Sequence, residues 1–275
     1  MHLLYTEDDV GSSPTLPTKI MDRVLIAGGD SVIFGVELAD ALEDKHSNFT
    51  YTALLSNSLD RQYICSAFPG NSNSGIARRV INQCLSNSSQ DKLVIVQWTV
   101  LSRFELKFTY KPSTPQWSLD KKVEEDVIGT WYNASYVDIV KSPATEIKQL
   151  KPQAVDFLEE YFRNVGSDDV YEYYCTLKEI VYLQNFLVTQ KIPYIFTVAN
   201  NFFKSKNLKD KNIQNLLKLV NFDKFYFFDN HLGFREWADL NYNPGQKIVH
   251  PREPAHKMAA EILQESIQWN SLKTF

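Results

Sequence analysis

Ser31 is the first residue in the chain whose setting suggests chemistry. Residues 23 to 31 read Arg-Val-Leu-Ile-Ala-Gly-Gly-Asp-Ser, an apolar run of strand length that meets two glycines and then an acid beside a serine. A tight turn at the end of a buried strand can lift a serine hydroxyl clear of the sheet. The backbone N–H groups of the turn then face any anion that forms beside it, which is what acyl transfer requires. The same residues also fit a plain strand-to-helix junction in which Ser31 caps the helix.

Other chemistries find less support. Cys65, Cys84 and Cys175 are odd in number, far apart and without Cys-x-x-Cys spacing, so they predict neither a disulfide framework nor a structural zinc site. The five histidines, His2, His46, His231, His250 and His256, show no His-x-x-x-His pair and no accompanying carboxylate cluster, so no metal site is predicted. The glycine-rich loops that cradle nucleotide phosphates do not occur, and no cofactor is expected. His231, in Asp-Asn-His, reads as a solvated loop residue, and His256 as a packing or hydrogen-bonding residue within the last helix.

The elements that must position Ser31 alternate in type. Apolar runs predict strands at Val24 to Ala27, Tyr63 to Ala67, Leu93 to Gln97, Tyr194 to Val198 and Phe225 to Phe228. Helical periodicity follows at Ser74 to Leu85, Gln153 to Arg163, Val170 to Thr189, Asp210 to Val220 and Glu253 to Trp269, and Phe34 to Leu38 reads as the opening of another helix. Such alternation predicts an α/β fold, a three-layer sandwich whose central parallel sheet has about five strands. Sites in these sheets lie beyond the carboxyl ends of the strands, where Ser31 would fall. Residues 1–22, polar and rich in Ser, Thr and Pro, predict a flexible arm, and 23–275 a single domain. From about 99 to 151 the alternation breaks. Tyr110, Trp117, Trp131, Tyr132 and Tyr136 lie there among turn residues, and the stretch reads as an aromatic-rich insertion with a β-hairpin, able to pack on the domain or to meet a carbohydrate or protein partner.

The formal net charge of -4 gives no general attraction to nucleic acid or anionic lipid. No run approaches the roughly 20 apolar residues of a membrane span, and the acidic opening lacks the features of a secretory signal. A cytoplasmic protein is expected.

Four pieces taken in order resemble the SGNH (GDSL-type) hydrolases, most of all compact members from bacteriophages. They are Gly-Asp-Ser-Val-Ile-Phe-Gly-Val-Glu-Leu at 29–38, Pro-Gly-Asn-Ser-Asn-Ser-Gly-Ile-Ala-Arg-Arg at 69–79, Val-Ile-Val-Gln-Trp-Thr-Val-Leu-Ser-Arg-Phe-Glu at 94–105 and His-Pro-Arg-Glu-Pro-Ala-His-Lys-Met-Ala at 250–259. The resemblance implies the flavodoxin-like SGNH fold, with Ser31 as nucleophile, His250 as its base and the Gly70 N–H as an oxyanion donor. Asn71 and Asn73 stand near Gly70 and suit either donation or the capping of the next helix.

The chain departs from the family pattern twice. Where the family carries an asparagine after the third strand, this sequence has Gln97-Trp98-Thr99 and then Ser102-Arg103. Thr99, Asn73 or Arg103 would have to replace that donor, one such donor being worth roughly 3 to 4 kcal/mol of barrier. Arg103 also suits a substrate carboxylate or phosphate, or an ion pair with Glu105 or another acid. The family acid three residues before the histidine is here Lys247, which cannot accept a ring N–H. A Ser31–His250 dyad oriented by a backbone carbonyl, or an acid from elsewhere, remains, with Asp239 and Glu253 the nearest in sequence.

The resemblance therefore implies a serine esterase acting on a small ester, such as an acyl group on a carbohydrate, in a host cytoplasm or phage particle. The two departures leave a second reading: an SGNH-fold binding or structural protein with a relict site, holding a protein partner through the insertion or the N-terminal arm.

Overall fold

The computed structural model describes residues 23–42, 45–107, 136–140, 152–164, 168–204, 209–242, 244 and 250–272. The proposed arm at 1–22, most of the insertion with Tyr110, Trp117, Trp131 and Tyr132, and Lys247 lie outside the described residues.

Four strands, β1 (Arg23–Gly28), β2 (Gln62–Cys65), β3 (Asp91–Trp98) and β6 (Tyr194–Val198), pair in parallel in the order β2-β1-β3-β6. The chain lays β2 on one side of β1 and β3 on the other, so the crossovers leave β1 and β3 in opposite directions. A crevice opens at such a switch point, beyond the carboxyl ends of the two central strands. The expected strand at Phe225–Phe228 adds one parallel bridge, Phe196 to Phe225, with the Tyr226 N–H donating to the Phe196 carbonyl at 2.8 Å. A 3-10 turn at Phe222–Lys224 and the left-handed residues Asp229 and Asn230 bracket this stretch and leave little extended backbone to pair.

Side chains alternate along the strands and divide the core in two. Leu25, Ala27, Leu93 and Ile95 face α2 (Tyr51–Ser58), α7 (Phe234–Tyr242) and α8 (Glu253–Leu272). Val24, Ile26, Val94, Val96 and Trp98 face α3 (Asn73–Ser86), α5 (Asp169–Thr189) and α6 (Lys211–Leu217). Both faces of the sheet are thus covered, which explains why the strands read as continuous apolar runs. Outside the sheet, β4 (Arg103–Lys107) pairs antiparallel with β5 (Tyr136–Val140), and α4 (Pro152–Asn164) follows.

One expected helix is much shorter than its pattern suggested. The turn after β1 makes α1 (Ser31–Phe34), and Gly35 ends it in the left-handed region at φ 82°. Its N–H returns to the Ser31 carbonyl at 2.9 Å, and a Cβ there would fall 2.5 Å from Ser47 Cβ, so glycine alone fits. Val36, Glu37 and Leu38 form a loop instead of continuing the helix.

Candidate active site

Ser31 is held in place by the residue before it. Asp30 caps α1: its Oδ1 accepts the Val32 N–H at 3.1 Å. Its Oδ2 accepts the Thr99 hydroxyl at 2.5 Å and the Arg103 Nη1–H at 3.0 Å. Asp30 is 4% exposed, so this carboxylate is removed from water and fully engaged. The end of β3 is thereby tied to the turn after β1, and Ser31 stands at the junction.

Two further segments close around it. The Asn71 side-chain N–H donates to the Gly29 carbonyl at 2.9 Å, which fixes the loop after β2 against the turn that carries Ser31. Gly70, one residue earlier, takes φ 79°. Such a conformation suits glycine and turns the peptide sharply. Neither the Ser31 N–H nor the Gly70 N–H has an acceptor among the described residues.

His250 approaches from the far end of the chain. Its Nε2 lies 2.9 Å from Ser31 Oγ, across 219 residues of sequence. The tail of the same segment zips onto the loop behind Ser31. Arg252 Nη1–H donates to the Glu37 carbonyl at 2.7 Å, and Glu253 Oε1 accepts the Ala39 N–H at the same distance. The Glu37 carboxylate then faces two cations or potential cations: Oε2 lies 3.3 Å from Arg252 Nη2, and Oε1 lies 3.3 Å from His250 Nδ1. The second approach is not aligned as a hydrogen bond, and among the described residues Nδ1 is buried with no such bond closed upon it. No backbone carbonyl orients this ring among the described residues.

The other residues singled out from sequence are placed as follows. Asn73 turns its amide away from Ser31, donating to Thr176 Oγ1 at 3.0 Å and accepting the Thr99 N–H at 2.9 Å, so it fastens α3 to β3 and α5. The Thr99 hydroxyl is spent on Asp30. Arg103 pairs with Asp30 rather than with Glu105, which instead receives a bidentate contact from Arg78. The Asn73 amide, the Thr99 hydroxyl and Arg103 Nη1 are thus taken up in the frame of the site, while Arg103 Nε is buried with no hydrogen-bond partner among the described residues. Of the two acids considered for the histidine, Glu253 is spent on Ala39, and Asp239 sits on α7, its carboxyl raised by burial and its Oδ1 unpaired.

Glu37 went unnoticed in sequence. It stood in the first motif as one residue of an expected helix, where it would have pointed along a helix face. Only its left-handed backbone, φ 70°, turns it back toward His250. The glycine two residues before it was the available signal, because a helix stop places the following residues in a loop.

The remaining reactive groups serve structure. His256 is 1% exposed, and its Nδ1 accepts the Tyr51 N–H at 3.0 Å, capping the start of α2. Burial lowers its pKa to about 3 against the opposing pull of a Pro251 backbone contact, with nearby His250 adding a smaller push in the same direction as burial, so it remains neutral. His231 lies on an exposed turn with Nδ1 2.6 Å from the Asp229 carbonyl. Burial pushes the Cys65 thiol up to about 11 and the Cys84 thiol up to about 12, too high for a thiolate nucleophile. Among the described residues no group of His, Cys, Asp and Glu could hold a metal ion, and no helix is long and apolar enough to cross a membrane.

No family model and no curated protein matches the sequence. Among solved structures the chain is similar to the psychrotrophic esterase EstA from Pseudoalteromonas sp., at 11% identity over 91% of this chain and 100% of that one, with a TM-score of 0.43. It is similar to the acetyl xylan esterase AlAXEase at 14% identity over 88% of this chain and 98% of that one, with a TM-score of 0.40. A third is the acetyl xylan esterase Est2A from the rumen bacterium Butyrivibrio proteoclasticus, at 12% identity over 93% of this chain and 66% of that one, with a TM-score of 0.42.

Proposed function

We propose that this chain is a serine-dependent ester hydrolase of the SGNH type, with Ser31 as nucleophile and His250 as general base. The observation that carries this reading is the 2.9 Å contact between Ser31 Oγ and His250 Nε2, made at the switch point of a parallel sheet. Nucleophile and base within hydrogen-bond reach are the minimum that acyl transfer demands.

His250 Nε2 takes the hydroxyl proton as Ser31 Oγ bonds to the acyl carbon. The carbonyl oxygen becomes an oxyanion, and the unengaged Ser31 and Gly70 N–H groups are its donors. Collapse breaks the bond to the leaving alcohol, whose oxygen receives the proton from Nε2. Water, deprotonated by the same nitrogen, then attacks the acyl-enzyme; collapse breaks the acyl–Oγ bond, Ser31 Oγ takes the proton back from Nε2, and the acid is released. A small acyl group on a carbohydrate is the substrate class the motif resemblance favours.

The binding-protein reading draws on one specific observation. The Asn73 amide, the Thr99 hydroxyl and Arg103 Nη1 are all bonded within the frame, so none of these three groups stands free to take the place of the missing asparagine. The two readings diverge in a direct test. An esterase hydrolyses p-nitrophenyl acetate and is labelled at Ser31 by a fluorophosphonate, and Ser31→Ala lowers the rate by about 10³-fold or more. Equal rates for the variant and the parent, without labelling, would establish the relict site instead.

A further inference from the structure

We infer that Glu37 is the acid that positions His250, supplied from the loop behind the nucleophile and not from the position three residues before the histidine. This rests on the esterase reading and deepens it by completing a Ser31–His250–Glu37 set.

Three observations converge. The first is the orphaned ring nitrogen. For Nε2 to accept the Ser31 proton, Nδ1 must carry its own hydrogen and needs an acceptor to hold the ring in that tautomer. Among the described residues Nδ1 is buried without a closed hydrogen bond, and a carboxylate oxygen, Glu37 Oε1, lies 3.3 Å from it. A small rotation of the glutamate aligns the pair.

The second is the backbone. Glu37 sits at φ 70°, a region that a long acidic side chain seldom occupies and that Asn or Gly would fill more comfortably. Such a conformation persists only when its surroundings impose it, and it is commonest where function needs the side chain turned one way. Here the left-handed turn is what directs the carboxylate back at the histidine.

The third is the clamp. Arg252 grips the Glu37 carbonyl at 2.7 Å and faces its second carboxylate oxygen at 3.3 Å. It leaves Oε1 for the histidine. Arg252 lies two residues after His250, so one short stretch carries the base and also fixes the acid that orients it. In the reaction Glu37 takes no proton; it holds Nδ1–H and balances the imidazolium that forms when Ser31 is deprotonated.

Glu37 is a positioning residue, and the test must separate that role from a structural one. The side chain is 42% exposed, so substitutions there are expected to fold. Glu37→Gln keeps the size and removes the charge: kcat on p-nitrophenyl acetate should fall about tenfold or more, KM should stay within about twofold, and the melting temperature should not drop. Glu37→Asp, which tolerates a positive φ and keeps the charge, should recover part of the lost kcat. A parental kcat for Glu37→Gln, in an enzyme that Ser31→Ala silences, would overturn the assignment of Glu37 and leave the esterase reading intact. Equal losses for Gln and Asp accompanied by lower melting temperatures would overturn it in favour of a structural role. If the parent protein neither hydrolyses the ester nor is labelled at Ser31, the esterase reading falls and takes the role of Glu37 with it.

Discussion

Two carboxylates flank Ser31, and they live in different worlds. Asp30 is buried, with Oδ1 on the Val32 amide and Oδ2 shared by Thr99 and Arg103. Glu37 is partly exposed, on a loop held by one arginine, and its approach to His250 is not closed as a hydrogen bond. A buried carboxylate with both oxygens engaged can do little but hold position, because each contact it drops leaves its charge less well satisfied in a poor solvent. A carboxylate at the edge of water can follow an imidazole as its charge rises and falls. One side of Ser31 is therefore frame, and the other is the side where the proposed reaction would move protons.

The sharpest way to break that contrast is to remove the frame carboxylate. Asp30→Ala strands the Arg103 guanidinium, 82% buried by its side-chain exposure of 18%, and deletes the cap of α1. Loss of one partner of a buried pair costs about 3 to 5 kcal/mol, and a lost cap about 1 kcal/mol, though the two losses overlap. Urea unfolding should show a stability loss of about 3 kcal/mol or more. A loss below about 1 kcal/mol, the value of an exposed pair, would mean that the two sides do not differ as described.

Much of the frame was legible in the sequence, and little of the coupling. The β1, β3 and β6 runs were readable because both faces of the sheet are covered and most of their positions are apolar. Ser31 was readable because the turn chemistry is local. The helix α2 escaped notice, since its sequence Tyr-Thr-Ala-Leu-Leu-Ser-Asn-Ser has almost no amphipathic contrast, and its start is fixed by Thr50 and by His256, a residue 205 positions away. Arg103 was expected to meet an acid, but the acid is Asp30 and not Glu105, because β4 turns the arginine inward while α3 delivers Arg78 to Glu105. Glu37 was illegible for the same reason in stronger form: its orientation depends on a positive φ and on contacts 213 and 215 residues distant.

The contrast between frame and chemistry repeats in the two histidines of the last segment. His256 is locked and neutral, and this makes stability depend on pH. The unfolded chain binds its proton near the ordinary value of 6.5, while the folded chain, with the group lowered by burial to about 3, does not. The contribution of neutral His256 is therefore intact above pH 6.5 and erodes as the pH falls from there toward 3. The slope from this one group is at most about 1.4 kcal/mol per pH unit, or about 2 kcal/mol between pH 6.5 and 5. His256→Asn, which offers a similar acceptor to the Tyr51 N–H without the basicity, should be less stable at pH 7 by about 1 to 2 kcal/mol yet lose less on acidification. Parallel pH profiles for parent and variant would show that some other buried group carries the acid sensitivity.

The smallest expected effect on stability sharpens the comparison most. Arg252 and Glu37 are 46% and 42% exposed in their side chains, so their pairing is a surface ion pair in energetic terms. Such pairs are worth about 0 to 1 kcal/mol, and Arg252→Gln should shift the unfolding midpoint barely at all. Arg252 nevertheless holds the Glu37 carbonyl and leaves Oε1 toward His250 Nδ1. With the clamp gone, the loop regains freedom and the carboxylate spends less time beside the ring. Turnover should fall by a few-fold, less than in Glu37→Gln, because the charge is still present and only its placement is loosened. In Glu37→Gln the same arginine substitution should cost almost nothing further, since there is no longer a charge to place. A double-mutant cycle on kcat measures this directly: coupling between the two positions means that the arginine acts through the glutamate, and additive losses mean that it acts on substrate by itself.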